Sequence, residues 1–207
     1  MNIIENLNWR YATKKFDSAY KIPESEIEKV KSIIKLSPSS FGLQPYKVLI
    51  VTNPDVREKL KEASWNQSQI TDASHLLVFV RNKVVNESDV DSFIDNVVNT
   101  RGVQKEMLAQ YEGMMKHAVS SQNDEQKGIW VEKQVYLALG NLLTSLSSMG
   151  VDSCPMEGFD KSKYDEILGL TDKTTVVVCS IGKRDDSDDS QHYKKVRKST
   201  DELFETI

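Results

Sequence analysis

The stretch IWVEKQVYLALGNLLTSLSSM, Ile129 to Met149, decides how the chain must fold. Val135, Leu139, Leu142, Leu143, Leu146 and Met149 recur at helical spacing and form one apolar face, while Trp130, Val131, Tyr136 and Leu137 leave the opposite side apolar too. A helix apolar nearly all round needs cover on two sides. In a chain of 207 residues, the reading that fits is a sheet of its own on one side and a second subunit on the other, with Gly140 allowing close approach. A central core helix in a monomer is the alternative.

Outward from that helix, three short apolar runs predict buried strands: YKVLIV at 46–51, HLLVFV at 75–80 and TTVVVCSIG at 174–182. They lack polar alternation, so both faces are expected to be covered. After Pro23, Ser25 and Glu28 form a candidate capping box, and Ile27, Val30, Ile33 and Ile34 carry a helix to the stop at Ser37 and Pro38. A shorter helix is predicted over 54–63, and a long polar one from Glu87 to about Ala118, with Gly102 and Gly113 as candidate breaks. There is no internal repeat. The one sharp change in composition is KRDDSDDSQHYKKVRKS at 183–199, acidic and then basic, which reads as a surface arm.

Composition narrows the function classes. With 39% hydrophobic and 28% charged residues the chain is ordinary for a folded globular protein, and a formal net charge of -4 argues against a nucleic-acid or anionic-membrane partner. No apolar run approaches the roughly 20 residues needed to cross a bilayer. The opening MNIIENLNWR has no long apolar core, and only Cys154 and Cys179 occur, so a reduced, cytoplasmic protein is expected.

Familiar catalytic fingerprints are missing: there is no GxGxxG, GxxxxGK[ST] or GxSxG. His75, His117 and His192 stand alone and the cysteines form no CxxC, so no metal site is expected. Cys154 reads as a small buried thiol rather than a nucleophile. Four polar clusters remain. In WRYATKKF at 9–16, Arg10 and Lys14 share a face whether the backbone is helical or extended. SPSSFGLQP at 37–45 is a loop rich in donors, WNQSQ at 65–69 is rich in amides, and KKVRK at 194–198 places Lys195 and Arg197 on one side if extended. Taken singly, each reads as a solvated face or a plain connector.

Taken together, RYATKKFD, LSPSSFGLQPYKVLIV, WNQSQITDASHLLVF, EKQVYLALGNLL, CPMEGFD and the terminal KKVR resemble the FMN-dependent nitroreductases. The likeness is to the oxygen-insensitive NAD(P)H nitroreductase and dihydropteridine reductase branch, in order along nearly the whole chain. It implies an α+β, three-layer fold with a central mixed, mainly antiparallel sheet flanked by helices. It also implies one domain over residues 1–207 whose arm, from about 183 to 207, reaches toward the partner of an interlocked homodimer with two FMN sites at the interface.

The resemblance further implies roles. Arg10, Lys195 and Arg197 would hold the FMN phosphate, with Tyr11 and Ala12 beside them, and Lys14 and Asn66 would meet the pyrimidine edge of the ring. Pro38, Ser39, Ser40 and Gly42 would pack on the cofactor from the other subunit, and Gln69 would lie by the flavin edge. Pro155, Met156, Glu157 and Gly158 would line one flavin face, with the Glu157 and Gly158 N–H groups toward N5 and O4, so Glu157 need not be a general acid. Ser40, Phe41 and Gln69 would meet the substrate. Tyr11, Ala12, Gly42 and Gln69 depart from the family's common residues.

FMN would be tightly bound, NAD(P)H a transient donor, and no side chain a nucleophile. The implied activity is reduction of nitroaromatics and quinones in a two-step, ping-pong hydride transfer. A flavin or dihydropteridine reductase, and a flavin-binding sensor or store without efficient turnover, are the other readings.

Overall fold

The computed structural model describes residues 2–207. Four strands, β1 (Tyr46–Val51), β2 (His75–Asn82), β3 (Asp152–Met156) and β4 (Lys173–Gly182), form one sheet in the order β1-β2-β4-β3. Every neighbouring pair is antiparallel, and the one parallel contact is an isolated bridge between Ala12 and Ser153 on the outer side of β3. The helices are α1 (Ile3–Trp9), α2 (Glu24–Lys35), α3 (Pro54–Glu62), α4 (Gln69–Asp72), α5 (Glu87–Arg101), α6 (Ala109–Ser120), α7 (Asp124–Ser148), α8 (Lys161–Ile167) and α9 (Thr200–Leu203).

The sheet is covered on both faces, which makes the α+β three-layer arrangement. On one face Leu77, Phe79, Val177, Cys179 and Ile181 pack against Ile27 and Val30 of α2 and against Val135, Ala138, Leu139, Leu142 and Leu146 of α7. On the other, Leu76, Val78, Val80 and Val178 pack with Leu60 of α3 and Tyr164 of α8. The period of two in β2 and β4 sends alternate side chains into the two cores, which is why those runs show no polar alternation. β1 behaves differently: as an edge strand it stays partly exposed from Tyr46 to Ile50.

Helix α7 begins earlier than its apolar pattern suggests, because Asn123 and Gln126 form a capping box ahead of it. Its inner side is buried, while Ile129, Tyr136 and Leu137 are 49%, 41% and 46% exposed and open space lies beside Gly140. Of the second apolar side, Val131 and Trp130 are covered by α5 and α6, whereas Tyr136 and Leu137 stay uncovered in the single chain.

Three local expectations change. The Ser25–Glu28 box does not form: α2 starts at Glu24 with Pro23 as its cap and no side-chain cap bond, and Glu24 and Glu26 in the first turn complement the helix dipole instead. The predicted long helix after Glu87 is broken. Gly102, at φ +66°, closes α5 by donating its N–H to Val98, a short 3-10 turn follows, and α6 then runs through Gly113 without interruption. The CPM segment, for which the sequence pattern predicts no strand, belongs to β3. Pro155 is tolerated there because β3 has a ladder neighbour on one side only.

Leu142 is fully buried between α7 and the sheet. Leu142→Ala is expected to lower stability by about 3 kcal/mol, within the range for such truncations, as measured by urea unfolding.

Candidate functional site

Residues after α1 run alongside β3. Arg10 is the C-cap of that helix in extended conformation, and Thr13 donates its N–H to the Ser153 carbonyl at 3.2 Å. This brings Arg10 and Lys14 to the sheet's outer edge. Arg10 is partly buried, and its Nε is shut from solvent with no hydrogen-bond partner. Burial lowers its pKa, and nearby Arg197 acts in the same direction. The Lys195 ammonium donates to the Arg10 carbonyl, and its own pKa is lowered by burial, then by Arg10 and Arg197. Among the described residues, no carboxylate pairs with Arg10, Lys14, Lys195 or Arg197. Like charges gathered without a counter-ion repel one another, and a bound anion relieves that cost.

Two acidic residues hold this geometry. The buried Asp188 carboxylate accepts the Tyr11 hydroxyl at 2.9 Å, the N–H groups of Lys14 and Lys15 at 2.7 and 3.1 Å, and the Ser190 N–H at 3.0 Å. Burial alone pushes its pKa up, but the donors of Lys14, Lys15, Tyr11 and Ser190 win and bring it down to about 2. Asp152, buried on β3, accepts the Arg184 N–H and Nε at 2.8 Å each. The Arg184 guanidinium also covers the Trp9 and Tyr11 rings, 4.2 and 4.7 Å from their centroids. The hydroxyl and ring of Tyr11 are therefore both engaged within the protein.

The WNQSQ and CPMEG segments meet. Trp65 and Asn66 adopt the left-handed region at φ +53° and +58°, and Gln67 donates from Nε2 to the Gly158 carbonyl at 2.8 Å. A Cβ on Gly158 would stand 2.8 Å from the Trp65 ring, so a larger residue there would push that exposed ring aside. The Glu157 carboxylate accepts the Tyr136 hydroxyl at 2.6 Å. Asn66 is exposed, Gln69 is buried in α4, Pro155 is partly exposed and Met156 is buried.

The 37–45 loop lies elsewhere. Ser40 donates its N–H to Gln134 of α7 at 2.8 Å, and Ser39 Oγ accepts the Gln44 N–H at 3.1 Å. Phe41 is held at φ +59° with its ring edge-on to Tyr111, 6.5 Å between centroids, and Gly42 sits against Phe93. Pro38 is exposed. Gln134 and Tyr136, two positions apart, project about 200° apart around α7, so this loop and the Glu157 segment flank opposite sides of the helix. The single chain brings Arg10, Lys195 and Arg197 together, and joins 65–67 to 157–158. It does not bring 38–42 to them.

Sequence reasoning missed Asp152, Asp188, Arg184, Gln67 and Tyr136. Within DDSDD nothing local separates Asp188 from its neighbours, and Tyr136 reads only as part of an apolar face.

Fold and site together define a three-layer α+β protein that gathers cations without a carboxylate partner at its sheet edge. The nitroreductase family model matches residues 7–183. A Staphylococcus saprophyticus protein provisionally named an NAD(P)H nitroreductase is 33% identical over 99% of this chain and 96% of its own length. A Staphylococcus epidermidis protein of the same provisional name is 36% identical, again over 99% and 96%. The solved structure of Bacillus subtilis YdfN, provisionally described as a nitroreductase, superposes with a TM-score of 0.88 at 23% identity over 99% of this chain and 98% of that one. An Exiguobacterium sibiricum structure, of a provisionally described nitroreductase in complex with FMN, gives a TM-score of 0.86 at 20% identity over 100% and 98%. The chain belongs to the nitroreductase family.

Asp188 has a folded pKa below its ordinary value, so its contribution to stability is full above that value and is lost as pH falls from 3.8 through about 2. Urea unfolding at stepped pH is expected to show this loss in the parent protein and to show it flattened in Asp188→Asn.

Proposed function

We propose that this protein is an FMN-dependent NAD(P)H oxidoreductase that reduces nitroaromatics and quinones. The observation that carries the reading is the convergence of Arg10, Lys195 and Arg197 with no carboxylate among them. The residues fit the group. A phosphate near the dianion needs several charged donors, and the partnerless Nε of Arg10 is one. Arg10, Lys195 and Arg197 hold the phosphate, and Lys14 supplies positive charge at the pyrimidine edge, with Asn66 as a further donor. Ala12 and Tyr11 shape the strand-like segment that carries these cations. Gly158 lets the main chain approach the ring, with Pro155 and Met156 beneath it, and Gln69 lies at the margin where substrate enters.

When bound, FMN would supply hydride transfer between reduced nicotinamide and a flat acceptor, in two half-reactions sharing one pocket. The protein's part is position and field. Glu157 is a positioning residue: its carboxylate is taken by Tyr136, whose own pKa is raised by burial and then by that hydrogen bond, so the hydroxyl stays protonated. The main-chain N–H groups of Glu157 and Gly158 are left as the donors toward the ring.

A homodimer completes the site. The uncovered side of α7, with Ile129 and Leu137, is the surface a second copy would bury, and Leu203, Phe204 and Ile207 on the terminal arm are exposed apolar groups of the same kind. The loop with Pro38, Ser39, Ser40, Phe41 and Gly42, turned away from its own chain's cations, would serve the flavin of the other copy. Among the described residues no helix is long and apolar enough to cross a membrane, and we assign the protein to the cytoplasm.

Anaerobic mixing of the yellow, FMN-loaded protein with NADH or NADPH is expected to bleach the flavin, and adding a quinone or nitroarene to restore it. Colour that persists with both nucleotides would sink the enzyme reading and leave a flavin-binding protein. Recovery with free flavin or a pteridine alone would move the assignment to that reductase class.

Arg197→Ala is expected to raise the Kd for FMN about tenfold, roughly the loss of one charge-assisted contact, while kcat at saturating FMN stays within about twofold. Fluorescence titration and steady-state assays separate the two quantities.

A further inference from the structure

Away from the Arg10 cluster, beyond the end of β1 and the start of β2, a cavity of about 470 Å³ opens between Lys21, Thr52, Arg57, Glu58, Thr71 and His75. Arg57 forms its floor and is 5% exposed. Its guanidinium donates to the carbonyls of Ile70, Ala73 and Ser74 at 2.7, 2.5 and 3.2 Å, which uses three of its five N–H groups. No carboxylate lies within ion-pair distance of it among the described residues. The one lining carboxylate, Glu58, is held by Lys61 at 3.0 Å.

His75 adds a directed donor. Ser74 Oγ accepts the Ile22 N–H at 2.8 Å and lies 3.0 Å from His75 Nδ1. A hydroxyl that accepts from Ile22 keeps its own proton for Nδ1, and in the neutral tautomer that takes this proton Nε2 carries the hydrogen. Lys21 gives one bond, to the Ser18 carbonyl, which leaves its ammonium with further donors. The walls therefore offer N–H and O–H donors and two cations, against a single carboxylate already engaged.

We propose that this cavity binds a small oxyanion of the phosphate class, inorganic phosphate or a compact phosphomonoester, at a site separate from the Arg10 cluster. The proposal does not rest on the flavin reading. Arg57 and Lys21 supply charge, His75 Nε2 and the Thr52 hydroxyl supply direction, and the cavity leaves room for a short organic tail beyond the phosphoryl group.

His75 also makes the site responsive to pH. Burial lowers its pKa, Arg57, Lys21 and Lys31 act in the same direction, and Glu24 opposes them, with Glu58 across the cavity tied to Lys61. A bound anion favours the charged ring, so His75 adds affinity as pH falls and it takes up its second proton, against the loss of the phosphate's own second charge.

The test is an NMR titration of the histidine rings in the FMN-loaded protein, with inorganic phosphate exchanged for chloride at constant ionic strength and ribose 5-phosphate as a second probe. The expected result is a saturable shift of the His75 ring while flavin absorbance is unchanged. In Lys21→Ala, an exposed position that folding does not need, the Kd is expected to rise about tenfold, the loss of one charged contact. Saturation by inorganic phosphate alone identifies the free ion, and tighter binding of ribose 5-phosphate identifies the monoester. A shift that never saturates, one that appears only as flavin is released, or a Lys21→Ala protein that binds as tightly as the parent would overturn the proposal.

Discussion

The carboxylate of Asp188 is the point on which the two ends of the chain meet. It collects the Tyr11 hydroxyl and the N–H groups of Lys14 and Lys15, so the segment after α1 cannot leave the edge of β3 without stranding a buried charge. Asp152 and Arg184 repeat the device one turn of chain away, with the guanidinium sandwiched against Trp9 and Tyr11. Breaking either carboxylate's contacts would cost more than forming them gains, because a desolvated charge is left without donors. Arg10 and Lys14 inherit their positions from the segment these two anchors fix.

Much of the fold was legible because its signals are local. Helix α7 keeps its apolar period over many turns, and β2 and β4 are apolar runs that only burial on two faces explains. β3 was not legible as a strand. It has five residues, begins with an aspartate and includes a proline, and what makes it a strand is its ladder with β4, which no window of sequence contains. The capping box at Ser25 failed for a related reason: Pro23 stands at the cap position and the helix starts at Glu24, two residues too early for Ser25 to cap it.

The site divides along the same line. Arg10, Lys195 and Arg197 could be singled out as residues because cations in a net acidic chain invite a shared purpose, yet their convergence depends on contacts across more than 180 positions, as between Lys195 and Arg10. The departure at Ala12 gains a structural meaning that sequence could not supply. Ala12 forms a bridge with Ser153, so its backbone extends the sheet beyond β3. Tyr11 likewise serves the scaffold through Asp188 and Arg184. Around the site, then, Tyr11 and Ala12 are engaged in holding the segment in place.

Beyond His192 the chain buries no side chain, and α9 rests on its own capping box rather than on the core. What holds this tail to the body within the single chain is the hydrogen bond from the Lys195 ammonium to the Arg10 carbonyl, made beside cations that repel it. Such a seat is governed by screening: mobile ions weaken the repulsion among these cations over a Debye length of about 8 Å at physiological ionic strength, while the sheet and α7 scarcely notice them. The molecule accordingly combines a salt-indifferent core with a salt-tunable terminus, and the grip on any anion held there rises and falls with the electrolyte around it.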